Sequence, residues 1–294
     1  RQAIYAGACN TGPINSIPRA SDLTSNTNFT IEDSFYVRIN RANDSFTHIF
    51  KMSINNTEFK VIPNIGTSYD IQFSDDEIDQ LYEITKNTSQ IAMKLTLETY
   101  SGSNLLGSKQ YNGIIYVNEN LNRPDITDFT FEPLDDGTKE LTGWTTPINV
   151  DNHLSIKGKT KYKITCNSAV AKNKATIKTY ELTLNKVKTV SSSTVIESEN
   201  AIAYDDYLTV VVTDSRGFKI TIQKKITAQN YENIVVKEFS LERQKYPNNE
   251  KVVLSFKGKF TKTSTLNNFA NTFYRYAENN TDFLENWIPL DIEI

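Results

Sequence analysis

The sequence predicts an all-β protein of tandem antiparallel sandwiches, with one short helix in the first. Three observations carry that prediction. The 294-residue chain holds 15 Tyr and 15 Phe against 2 Met and 2 Trp, and branched and aromatic side chains fit the pleated, half-buried surface of a sheet. Short runs alternate apolar and polar residues between turns, the period of a half-buried strand. One hairpin also occurs twice, as "LTLETYSGSNLLGSKQYNGIIYVN" from Leu95 to Asn118 and as "LTVVVTDSRGFKITIQKKITAQNY" from Leu208 to Tyr231.

The copies lie a little more than 110 residues apart, close to the roughly 100 residues of one immunoglobulin-like domain. The hairpin therefore marks the last pair of strands in each domain. Gly102 and Gly217 supply the positive φ that its turns demand. In the first copy "FYVRINR" sends Phe35, Val37 and Ile39 inward, and "THIFKMSIN" does the same with His48, Phe50, Met52 and Ile54. The strands "EFKVIP" and "SYDIQF" follow. In "FSDDEIDQLYEITKN", Ser74 and Glu77 have the spacing of a capping box, and Ile78, Leu81 and Tyr82 recur at helical spacing. This is the short helix. In the second copy "KYKITCN" turns Tyr162, Ile164 and Cys166 inward, and "TYELTLN" and "YLTVVVTD" continue the alternation.

A third copy opens with "VVKEFSLERQ", which matches "DITDFTFEP" at the head of the second, and "KVVLSFKGKF" places Val252, Leu254 and Phe256 inward. The expected division is an arm over 1–24, immunoglobulin-like domains over 25–121 and 122–231, and a third, incomplete domain over 232–294. "NENLNRPDI" and "AQNYENI" are short polar linkers, so the array is expected to flex only modestly.

Charged residues make up 23% of the chain and the net charge is −3, which argues against a nucleic-acid binder. No apolar run approaches the roughly 18 residues that span a bilayer. "RQAIYAGACN" lacks an initiator Met and an apolar signal segment, as a processed product or part of a longer polypeptide would. The 2 Cys, Cys9 and Cys166, read as free thiols of a protein made in a reducing cytoplasm.

Catalytic chemistry is sparse. The chain has 2 His. His48 faces the core of its strand, where a hydrogen-bonded structural role is the ordinary one. His153, in "NVDNHLSI", reads as an exposed turn residue. A nucleophilic couple of Cys166 with His153 fails because the thiol faces the core. Asp75, Asp76 and Glu77 suit a helix N-terminus, Asp136-Gly137 a hairpin turn, and Asp205-Asp206 the start of a strand. None has the spacing of a calcium loop. No metal, cofactor or catalytic residue is expected, and no binding residue is assigned. Lys157, Lys159, Lys161 and Lys163 fall on every second residue, which would align them on one face of one strand. Such lysines ordinarily guard a strand against aggregation; the sharper alternative is a stripe that meets phosphate-rich wall polymers. Trp144, Tyr204 and Tyr207 could stack on sugar rings, but packing at a core or domain junction is the commoner use.

Several segments carry a family resemblance. Pro18, Arg19, Ala20 and Ser21, then Asn40, Arg41 and Ala42, then Phe46, Thr47 and His48 follow the order of a minor structural protein family of siphophages that infect low-GC Gram-positive bacteria. "TYSGSNLLGSK" is similar to its first-domain hairpin, "GKTKYKITCNSAVAKNKATIKTYELTLN" and "VTDSRG" to its second domain, and "EFSLERQ" with "FYRYAEN" to its third. The resemblance runs from about Pro18 onward. It implies a non-enzymatic virion component of the tail tip or baseplate, assembled in the host cytoplasm, which positions or supports adsorption to the host wall. Its expected partners are other tail proteins, further copies of itself and wall polysaccharide or teichoic acid, with no nucleic acid and no membrane. The alternatives are the wall-carbohydrate-binding protein itself, or the non-catalytic part of a wall hydrolase.

Overall fold

The computed structural model describes residues 19–150, 153–231, 235–243, 252–259, 272–274 and 288–290. Contacts divide the chain into two compact units. The first holds residues 1–125 together with 169–178 and 212–220, and the second holds 126–168, 179–211 and 221–294.

In the first unit the chain runs through β1 (Asp22–Leu23), β2 (Phe29–Thr30), β3 (Phe35–Asn40), β4 (Phe46–Ile54), β5 (Thr57–Ile65), β6 (Ser68–Ile71), α1 (Asp75–Ile84), β7 (Gln90–Ser101), β8 (Asn104–Tyr116) and α2 (Glu119–Asn122). Two sheets form, in the orders β1-β3-β6 and β2-β8-β7-β4-β5. The alternation expected in β3 and β4 is realised, with Phe35, Val37, Ile39, His48, Phe50, Met52 and Ile54 buried. Phe29 stacks on Phe35 at 4.9 Å and on Phe73 at 5.0 Å. Each such side chain contributes about 1.5–3 kcal/mol by leaving water. Gly113 permits close approach: an added Cβ would collide with the carbonyl oxygen of Thr27.

Helix α1 forms where its cap requires. Glu77 N donates to Ser74 Oγ at 3.3 Å, and Ser74 N donates back to Glu77 Oε2 at 2.8 Å, which satisfies two otherwise orphaned donors. Lys60 Nζ reaches both Glu77 oxygens at 2.6 Å. Leu81 and Tyr82 are buried, as their spacing predicts.

The second unit contains β9 (Thr130–Pro133), α3 (Asp136–Thr142), β10 (His153–Ile156), β11 (Tyr162–Thr165), β12 (Ile177–Leu184), β13 (Val187–Ser191), β14 (Val195–Glu197), β15 (Asp206–Asp214) and β16 (Lys219–Gln229), with the ends of β12, β15 and β16 counted in the first. Its sheets are β10-β16-β15-β12-β13 and β14-β11-β9. Phe131, Trp144 and Tyr162 meet edge to face, at 5.5 and 5.9 Å from Phe131. Further on, β17 (Val235–Arg243) pairs with β18 (Val252–Lys259), and β19 (Thr272–Tyr274) with β20 (Ile288–Leu290), all antiparallel. Cys9, "FYRYAEN" beyond Tyr274, and the side chains of Val252, Leu254 and Phe256 lie outside the described residues.

Both copies share one topological device. An early short strand joins the opposite sheet and pairs in parallel with the last strand, β2 with β8 and β10 with β16. The protein is thus an all-β chain of tandem immunoglobulin-like sandwiches. The Asp136-Gly137 turn is corrected: it opens α3. Asp135 Oδ1 accepts from Thr138 N at 2.6 Å, and Gly143 ends the helix at φ 70°, the usual asymmetry of helix caps. The linker "NENLNRPDI" also winds a turn of helix, α2, capped by Asn118.

The turn between β15 and β16 belongs to the first unit and carries a buried cation. Arg216 is 7% exposed. Its Nε donates to the Thr85 carbonyl at 3.1 Å and its Nη1 to the Lys172 carbonyl at 3.0 Å, while Nη2 donates to the Asn173 carbonyl. Thr85 is the C-cap of α1, whose last turn has no basic residue. Arg216 thus supplies the positive charge that a helix C-terminus favours. The guanidinium also lies over the Tyr82 ring at 5.5 Å. Tyr82 donates to Glu32 Oε1 at 2.6 Å, and burial together with that carboxylate pushes its pKa up to about 12. Asn122 links to Tyr82 Oη at 3.3 Å and to Asn173 Nδ2 at 2.8 Å. Asp214 fixes the turn, with Oδ1 accepting from Arg216 N at 3.0 Å and Phe218 N at 2.8 Å.

Arg216→Met should leave the Asn173 carbonyl without its donor and strip the Thr85 and Lys172 carbonyls of one of two, lowering stability by about 3 kcal/mol and moving the first unit's thermal midpoint down by roughly 6–12 °C. Arg216→Lys should recover part of that loss, since one ammonium cannot span the three acceptors. Asp214 gives a pH signature. Its side chain is fully buried and its Oδ2 has no partner, and burial raises its pKa above the ordinary 3.8. The folded state therefore binds the proton more tightly than the unfolded chain. Stability should fall as pH rises from that ordinary value through the raised one. Denaturant melts from acid to neutral pH should show this slope in the wild type, and Asp214→Asn should flatten it.

Candidate functional site

The residues singled out in the sequence are mostly accounted for by structure. His48 is fully buried. Its Nδ1 lies 3.0 Å from the carbonyls of Ile65 and Gly66, and its Nε2 2.8 Å from Ser21 Oγ. A neutral ring satisfies all three by donating at Nδ1 and accepting at Nε2. Cys166 is a buried free thiol whose pKa burial lifts to about 11, so it is no nucleophile at neutral pH. His153 is not in an exposed turn. It begins β10, half-buried, with its ring 4.0 Å from buried Trp144.

The lysine stripe does not exist as one face of one strand. The backbone turns over Lys157–Lys159, where Gly158 has φ 73°, and β11 begins only at Tyr162. Lys159 sits over the Tyr231 ring at 4.8 Å, and Lys163 pairs with Glu132 at 3.6 Å. Moreover, β11 is the middle strand of its sheet, so no edge needs guarding. Alternation misleads here because Gly158 breaks the extended chain on which a period of two depends. Asp205 and Asp206 accept backbone N–H groups, from Ala228 at 2.8 Å and Asn185 at 2.7 Å. Tyr204 and Tyr207 are 47% and 48% exposed, contrary to the packing expected of them. Among the described residues no three or more His, Cys, Asp or Glu gather as metal ligands, and no helix is long and apolar enough to cross a membrane.

One surface feature of the first unit escaped the sequence reading. A cleft of about 500 Å³ opens where the chain passes from β1 through β2 into β3, within the roughly 300–1,000 Å³ of small-molecule sites. Its wall includes Tyr36 and Arg38 on the outward face of β3, Asp33 in the preceding turn, and Asn26, Asn28 and Ser25. Arg38 Cζ lies 5.9 Å from the Tyr36 ring centroid. The neighbouring Ser68 and Arg38 side chains hold the Tyr36 hydroxyl below its ordinary pKa. The available signal was a tyrosine on the polar side of an alternating strand, read there only as the solvent face.

The two sandwiches look outward to many unrelated proteins. Solved structures that resemble the chain include the fibronectin(III)-like modules of Clostridium thermocellum CbhA, at 9% identity and TM-score 0.27 over 71% of this chain and 94% of that one. Sidekick-1 immunoglobulin domains 1–5 match at 8% identity and TM-score 0.37, over 82% of this chain and 45% of that one. The amphioxus IgVJ-C2 molecule matches at 10% and 0.30, over 68% and 99%. No curated protein matches the chain in sequence. A family model does match, that of the siphovirus proteins of unknown function termed DUF859, over residues 8–260. Because that match takes in both sandwiches, the chain belongs to the DUF859 family of siphovirus proteins.

Proposed function

We propose that this protein is a non-enzymatic structural component of a siphophage tail tip or baseplate that positions or supports adsorption to the host wall. The observation that carries the reading is the siphovirus family match across residues 8–260, a stretch that takes in both immunoglobulin-like sandwiches. Stiff β modules suit a scaffold, and several copies around a tail would convert weak wall contacts into avidity. Within this reading it is a virion protein made in the bacterial cytoplasm, with other tail proteins and copies of itself as partners. A second reading, that the chain itself holds wall carbohydrate, is favoured by the open polar cleft beside Tyr36.

Electron microscopy of purified virions decorated with gold-labelled antibody against the chain tests the location. Gold at the distal end of the tail is the expected outcome. Gold on the head or neck, or a chain missing from purified particles, would overturn the assignment. Fluorescent chain incubated with isolated host walls separates the two readings: retention on walls supports direct binding, and its absence leaves the scaffold.

A further inference from the structure

We infer that the cleft formed by β1, β2 and β3 is a saccharide site that takes a neutral pyranoside against the ring of Tyr36. A sugar presents hydroxyls that both donate and accept, on a ring with apolar C–H faces. The cleft offers the complement. Asp33 is an acceptor and Arg38 a donor, and neither forms an ion pair in the described structure. Asn28 Oδ1 accepts from Ile114 N at 2.8 Å and Asn26 Oδ1 from Asn28 N at 3.1 Å, which leaves both amide NH₂ groups to donate. Tyr36, 46% exposed, provides an aromatic platform with a polar tip.

Charge decides the ligand class. One carboxylate and one guanidinium cancel, so the cleft has no surplus cation for a phosphate, which is ordinarily held by several basic groups. Tyr204 and Tyr207, also exposed, lack this setting, because the carboxylates beside them already serve backbone N–H groups. A single sugar in so open a site should bind weakly, with Kd on the order of millimolar.

Saturation-transfer difference NMR on the full chain tests this, with methyl α-glucopyranoside, methyl β-N-acetylglucosaminide and glycerol 3-phosphate as probes. Transfer to one or both pyranosides is expected, with about tenfold weaker binding in Tyr36→Ala and in Asp33→Asn. Both side chains are exposed, so the variants should melt as the wild type does. No transfer to either pyranoside would overturn the inference. So would transfer to glycerol 3-phosphate alone, transfer unchanged in both variants, or transfer lost instead in Tyr207→Ala. Microscopy of the virion is indifferent to all of these results, so failure here and failure of the tail-tip reading are distinguishable.

Discussion

The first unit depends on one buried guanidinium. A charge taken out of water is costly unless it is hydrogen-bonded, and each of the three Arg216 nitrogens donates to a backbone carbonyl rather than to a carboxylate. Carbonyls do not titrate, so these three acceptors, unlike a carboxylate, keep their character as pH changes. One of the three closes the C-terminus of α1, and another belongs to Asn173, whose side chain bonds to Asn122. The cation therefore fixes a helix end, a loop and the polar chain of Tyr82, Glu32 and Asn122 together. Phe218, two residues on, enters the same apolar cluster as Phe29 and Phe50.

The copies differ in what their final hairpins do. The first turns at Gly102, φ 60°, in a tip with exposed neighbours. The second turns at Gly217, φ 92°, and buries Asp214, Arg216 and Phe218. The same hairpin architecture thus serves a free tip in one case and an anchored one in the other. The difference lies in three side chains, Asp214, Arg216 and Phe218, at a turn whose glycine is common to both.

The sheets were legible because burial on one face imposes a period of two: Phe35, Val37 and Ile39 could be placed from spacing alone. The capping box of α1 was legible for a similar reason, since Ser74 and Glu77 act over three residues. Helix α3 was misread although its signals are present, because Asp-Gly inside an otherwise β sequence favours a turn until Asp135 and Gly143 are weighed as a pair of caps. The lysine spacing failed because it assumed an extended chain across Gly158. The Arg216 network could not be read, because its acceptors are main-chain atoms up to 131 residues away and carry no side-chain identity. The cleft is equally silent in sequence. Tyr36 and Arg38 look like any solvent face until the course of residues 24–34 walls them in.

The parallel pairing of Phe29 with Ile115 has a consequence for how the chain is made. A ribosome releases β2 long before β8, so the early strand must wait for its partner while most of a domain is synthesised. The first sandwich cannot close until Tyr116 has left the exit tunnel, and the Thr85 carbonyl at the end of α1 lacks its cationic partner until Arg216 follows it. Such long sequence separation slows folding and leaves edges exposed meanwhile. Completion of the first unit is thereby tied to the synthesis of segments that lie far along the second copy.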